Sequence, residues 1–228
     1  MTTVPPATTS APHRPAGWAA IASGAIGIIA FGLLVAFLAI TPTEILESKV
    51  TLEPGVMPPV SRLLINSSDV GFILQALFMI PVALVLHAFG RQHAPGVSRA
   101  TVTVGVFALS LIALLRLLTL LNPAVSGILF MGPTCFVGAW LIVVNWLLAG
   151  VLSRGLRITG TVAGIGLVIQ SASFFFLGGR IVLTEGPEAI ADDVDFHNWN
   201  AIGGVPGSIL FSIWAILLGY KLIRARVP

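Results

Sequence analysis

Arg116 is the residue whose type and setting point most directly to chemistry. It stands in Ala113-Leu114-Leu115-Arg116-Leu117-Leu118, a run with no second charge. A guanidinium carries five N–H donors in a fixed fork, and away from water they require a carboxylate, a phosphate or polar side chains. Three further polar residues border or interrupt apolar runs: Asp69, Gln75 and Gln170. Asp69 is the carboxylate nearest in expected depth, and the glutamines offer amide donors and acceptors. These four are the candidate polar layer, read either as a ligand site or as internal packing.

A second cluster lies in Asp192-Asp193-Val194-Asp195-Phe196-His197. Three carboxylates and an imidazole in six residues are groups that calcium, magnesium or zinc use. The spacing is not that of a calcium loop, so Asp192, Asp193, Asp195 and His197 are weak metal candidates beside the simpler reading of a solvated acidic loop. Other chemistries lack their residues. There is no His-Glu-x-x-His pair, no Gly-x-Ser-x-Gly elbow and no nucleotide-binding glycine pattern. Cys135 is the lone cysteine, which excludes a dithiol within the chain. No catalytic set and no cofactor is expected.

The elements that must position these residues follow from composition. Of 228 residues 56% are hydrophobic and 9% charged, and mean hydropathy is +0.99. A soluble domain is about 25% charged. The fold class is therefore all-α, a polytopic transmembrane bundle. Six segments approach the ~20 apolar residues that cross a bilayer: Trp18–Ile40, Val70–Gly90, Ala100–Leu121, Gly132–Leu152, Ile158–Gly178 and Val205–Tyr220. Residues 1–17 read as a disordered cytoplasmic tail, and 18–228 as one six-span domain.

Charge fixes the expected orientation. Six spans place Arg14, Arg91, Arg99, Arg154, Arg157, Lys221, Arg224 and Arg226 on one side, and Lys49, Arg62 and Arg180 on the other. The positive-inside rule makes both termini cytoplasmic. The basic residues then meet lipid head groups, and no nucleic-acid partner is expected. Arginine outnumbers lysine and Ala, Gly and Val abound, which suggests a bacterial inner membrane. Two long external connections are expected, Thr41–Asp69 and Gly179–Gly204. Asn66-Ser67-Ser68 reads as the cap that opens the second span.

Small residues recur at packing spacing: Gly160 and Gly164, Gly203 and Gly207, Ala20 and Gly24, Ser23 and Gly27. Such pairs let helix backbones approach, here within the bundle in preference to a homodimer face. Pro81 should free a backbone carbonyl within the second span. Asn145 should make an interhelical hydrogen bond.

Arg116 should lie about 8 Å below the external surface, from about five residues at helical rise. A charge at mid-span costs about 2.5–3.5 kcal/mol on insertion scales, so it should face the interior or snorkel. Gly105, Leu109, Ile112, Ala113 and Thr119 share its face by helical spacing. Three roles stay open for it: pairing with Asp69 or the glutamines for packing alone, holding an anionic head group, or snorkelling.

A polar helix start at Ser67-Ser68-Asp69 is followed by Arg116 before Asn122, then Gly138-Ala139-Trp140-Leu141. The basic turn Ser153-Arg154-Gly155-Leu156-Arg157 leads on to Gly160 and Gly164. This stretch, Ser67 to Gly164, resembles a bacterial family of six-helix integral membrane proteins that carries no assigned activity. This chain departs in the basic turn, where the family has a proline. The resemblance implies the topology and no reaction.

The leading functional reading is a non-enzymatic protein that binds membrane lipid or a small ligand, or that serves as subunit of a membrane assembly or homo-oligomer. The alternative is a small transporter of an anionic or amphipathic solute. A hydrolase or transferase built on the Asp192–His197 cluster comes third.

Overall fold

Long apolar segments in a bilayer must satisfy their backbone groups internally, and the helix does so within one segment. The computed structural model describes residues 13–41, 57–92, 94–122, 129–178 and 194–224, with the backbone alone for 13, 177–178, 194–197 and 200. The described residues form six helices and no strand: α1 (His13–Ile40), α2 (Pro59–Gly90), α3 (Pro95–Leu121), α4 (Met131–Leu147), α5 (Arg154–Ser173) and α6 (Val194–Arg224). A π-helical turn, Phe174–Gly178, extends α5.

The apolar centres of the expected spans match these helices, and their ends differ. The second helix starts at Pro59, not at Val70. Pro58 is extended, with φ −51° and ψ 140°, and Pro59 occupies the first turn, where a missing N–H costs nothing. Asn66, Ser67 and Ser68 therefore lie inside α2 and do not cap it. α6 likewise begins at Val194, ahead of the expected Val205, so both presumed connections are partly helical. α1 begins at His13, which takes the last residues of the expected tail; residues 1–12 lie outside the described residues. α4 ends at Leu147 and turns through Leu148–Leu152, held by Leu148 N–H to Val144 O at 3.0 Å.

The helices form a closed ring in chain order. Each packs on its sequence neighbours, and α6 closes against α1. Glycines set the close crossings. A Cβ on Gly164 would meet the Gly138 carbonyl at 2.6 Å, between α5 and α4. One on Gly166 would meet the Gly203 carbonyl and the Gly207 Cα at 2.8 Å, between α5 and α6. One on Gly17 would meet the Gly219 carbonyl at 3.0 Å, between α1 and α6. Backbone cannot yield as a side chain can, so these positions exclude larger residues. Gly164, Gly203 and Gly207 thus do serve packing within the bundle. The Gly17–Gly219 contact also places the start of α1 and the end of α6 at one end, termed here the termini end.

Large apolar side chains face outward along the ring, among them Ile29, Leu63, Phe107, Leu114 and Trp146. A monomeric soluble protein does not expose apolar surface on this scale. Among the described residues five helices are long and apolar enough to cross a membrane, and α4 is a shorter apolar helix. The chain is a multi-pass α-helical membrane protein.

Candidate functional site

Asp69 is carried by α2 and Arg116 by α3, both turned into the ring and both buried. Because α2 begins at Pro59, Asp69 lies well along the helix and not at its mouth. Arg116 Nη1 donates to Asp69 Oδ1, and the two form a salt bridge. Their side chains are 10% and 12% exposed. The pair removes the snorkelling reading of Arg116. It lets two opposite charges share an apolar interior, where either alone would be strongly destabilising.

Two rings complete the seat of the guanidinium. Its Cζ lies 4.3 Å from the centroid of Phe72 and 3.7 Å from that of Phe130. Each ring offers its electron-rich face to the cation. Arg116 Nε is sealed from solvent without a hydrogen bond. Nη2 bonds no described residue, and the guanidinium is the charged group among the described lining of a cavity.

That cavity has a volume of about 420 Å³. Ligand pockets span about 300–1,000 Å³. All six helices contribute, in the half of the bundle away from the termini. Phe31, Val35 and Leu38 come from α1, Phe72 and Gln75 from α2, Leu109 and Ile112 from α3 with Arg116, Thr134 and Val137 from α4, Gln170 from α5, and Val205, Ser208 and Phe211 from α6. The lining is apolar with a few convergent polar groups, which is the composition of small-molecule sites.

The polar groups differ in what they have left to give. Gln75 Nε2 donates to Ser212 Oγ at 3.0 Å. Ser212 Oγ already donates its proton to Ser208 O at 3.0 Å, so it can only accept from Gln75. That fixes the amide and leaves Gln75 Oε1 as an acceptor without a partner among the described residues. Ser23 Oγ also donates to the Gln75 backbone carbonyl at 2.9 Å, which ties α1 to α2 at this level. Thr134 Oγ1 and Ser171 Oγ lie 2.6 Å apart, and both reach Met131 O. Gln170 is 8% exposed, lines the cavity, and makes no side-chain hydrogen bond with any described residue.

On the termini side the cavity is closed by aromatics. Phe211 lines it and stacks on Trp214, centroids 6.2 Å apart and planes at 19°. Trp214 meets Trp140 edge-on at 6.1 Å and 88°. Met79, Leu141 and Leu218 are buried around them. Trp214 Nε1 donates to Asn145 Oδ1 at 3.2 Å, while Asn145 Nδ2 donates to Leu141 O at 2.8 Å. Asn145 thus bridges α4 and α6, as its depth suggested. A side chain at Gly160 would meet the Trp214 Nε1 at 2.5 Å, so the glycine makes room for this bridge.

The structure therefore brings Arg116 and Asp69 into contact and sets Arg116, Gln75 and Gln170 around one cavity. Asp69 backs the site from outside its lining. Asp192 and Asp193 lie outside the described residues, and Asp195 and His197 lie in the first turns of α6 with side chains not described. Among the described residues no group of three metal-ligating side chains converges. Sequence reasoning missed Phe72, Phe130, Thr134 and Ser208. Phe72 was findable, because Asp69, Phe72, Gln75 and Ala76 fall on one helical face. Phe130 was not, because it belongs to an apolar connection with no periodicity. Compared with protein-family models, curated proteins and solved structures, the chain matches none.

Proposed function

We propose that this protein binds a membrane-derived amphipathic molecule in the cavity beside Arg116, without catalysing a reaction on it. The observation that carries this is an apolar cavity of about 420 Å³ that meets a buried guanidinium and a Gln170 amide with no hydrogen-bond partner among the described residues. Lipid-soluble ligands reach such sites through the wall. Val35 and Leu38 on α1 and Val205 on α6 line the cavity and are exposed, so no buried layer of the bundle covers it at these residues. We place the access route between these two helices. Both termini are taken as cytoplasmic, from the arginines that flank the termini end, in a bacterial inner membrane. The cavity then opens towards the external leaflet. The resemblance to the bacterial six-helix family is part of this reading on topology alone.

The transporter reading is weaker, because the Phe211–Trp214–Trp140 floor offers no continuing path. The test is native mass spectrometry of protein extracted with its lipids, comparing wild type with Ser208→Phe. The new ring takes up part of the cavity beside Gln75 and Phe211, narrows what can enter, and leaves the ion pair alone. The expected result is a discrete small adduct on wild type that is lost in the variant. Equal adducts on both proteins would refute occupancy of this cavity.

A further inference from the structure

The charge state of the cavity restricts its ligand. Among the described residues lining it, Arg116 is the one that carries a charge. That charge is already matched by Asp69. Over the described residues the site is neutral overall. A carboxylate or phosphate placed here would bring a net negative charge into an apolar interior, beside Asp69 and with no second cation among the described lining residues to meet it. The effective desolvation penalty for one such ion is several kcal/mol.

The groups left open are instead those that serve neutral oxygen functions. Arg116 Nη2 and the Gln170 amide N–H groups are donors without a partner among the described residues. Gln75 Oε1 and Gln170 Oε1 are acceptors. A carbonyl takes the donors, and a hydroxyl takes the acceptors. The remaining lining is hydrocarbon, supplied by Phe31, Val35, Ile112, Val137 and Phe211.

We infer that the ligand is a neutral amphipath, an apolar chain whose head carries an ester or ketone carbonyl, and that anionic lipids are selected against. This rests on the occupancy reading above and narrows it. Two membrane sources share the chemistry, glyceride esters and isoprenoid quinones. The glyceride hydroxyls also match the glutamine oxygens, which have no partner among the described residues.

The test uses the full chain in nanodiscs with Trp18, Trp146 and Trp199 changed to Phe. These three are exposed, which leaves the buried Trp140 and Trp214 as reporters at the cavity floor. Dibromostearate methyl ester, dibromostearate and a dibrominated octadecane are titrated, with tryptophan quenching as readout. The pH is about 9, well above the ordinary carboxylate range. The ester should quench at least about tenfold more tightly than the carboxylate. Gln170→Leu should weaken the ester about three- to tenfold and leave the alkane unchanged. That variant removes no side-chain hydrogen bond with a described residue and keeps a side chain of similar size, so it keeps the fold.

Equal or tighter binding of the carboxylate, or no effect of Gln170→Leu on the ester, overturns the inference while the cavity reading stands. Absence of quenching by all three probes, the alkane included, overturns both. Displacement of the ester by monoolein identifies the glyceride source, and displacement by decylubiquinone the quinone source. Displacement by neither counts against the carbonyl rule.

Discussion

Removing Asp69 alone should destabilise this protein far more than removing Asp69 and Arg116 together. In Asp69→Leu the guanidinium stays between Phe72 and Phe130 but loses its one counter-charge. Breaking one side of a buried pair costs about 3–5 kcal/mol. The lower end applies here, because the two rings still hold the cation, at about 0.5–2 kcal/mol. In Arg116→Leu the carboxylate is stranded with no ring to compensate, and the upper end applies. The double variant leaves two leucines of similar size facing each other, and such replacements are close to neutral.

A double-mutant cycle isolates the pair. The ring contacts vanish equally in Arg116→Leu and in the double variant, so they cancel from the coupling term. The expected coupling is about 3 kcal/mol or more, close to a hundredfold in the folding equilibrium. Reversible unfolding in mixed micelles, followed by far-UV circular dichroism, measures it for all four proteins. Small and additive single effects, each below about 1 kcal/mol, are what exposed ion pairs give. That result would refute the buried pair and the seat built around it.

Two other perturbations follow from the packing. Gly166→Leu should prevent stable assembly or cost at least about 1–3 kcal/mol, because its Cβ would lie 2.8 Å from the backbone of Gly203 and Gly207. Gly32→Ala is its control, with nothing within 4 Å of the added atom; it should stabilise by about 0.5–1 kcal/mol in the same unfolding assay. Asn145→Ala strands the Trp214 indole N–H in the core and should cost about 0.6–2 kcal/mol, with a change in tryptophan emission. An unchanged melt and spectrum would show that the Asn145–Trp214 bridge does not form.

The helices were legible because hydrophobic length is a strong signal in a lipid solvent. Their starts were not. Hydropathy falls where Ser61, Arg62, Asn66, Ser67, Ser68 and Asp69 gather, yet a helix can run through polar residues if its neighbours bury some of them. Ser61, Ser68 and Asp69 are buried against the ring. The same oversight left Asp69 at the mouth of the second span. Its pairing with Arg116 survived the error, because arginine and aspartate have few other partners in such a sequence. The metal-cluster reading gained nothing, since half of it falls outside the described residues. The cavity was not legible at all. A cavity is a property of how far apart helices stand, and no single helix records that distance.

The trace of that separation is nevertheless present on one face of α1. Gly17, Gly24, Phe31 and Leu38 recur every seventh residue and so share a face. At the termini end this face is glycine, and α6 comes into backbone contact: the Gly24 Cβ position lies 3.0 Å from the Ile216 nitrogen. Towards the far end the same face becomes Phe31 and Leu38, and both line the cavity opposite Val205 and Ser208. Bulky residues hold helices at a distance that glycines do not require. α6 cannot follow α1 to close the gap, because Gly203 and Gly207 bind it to Gly166 of α5. The bundle is thus tight where its small residues face one another across α1 and α6. It is open where α1 turns bulky and α6 is held by α5, and at that level Arg116 and Gln170 keep hydrogen-bonding groups without a partner among the described residues.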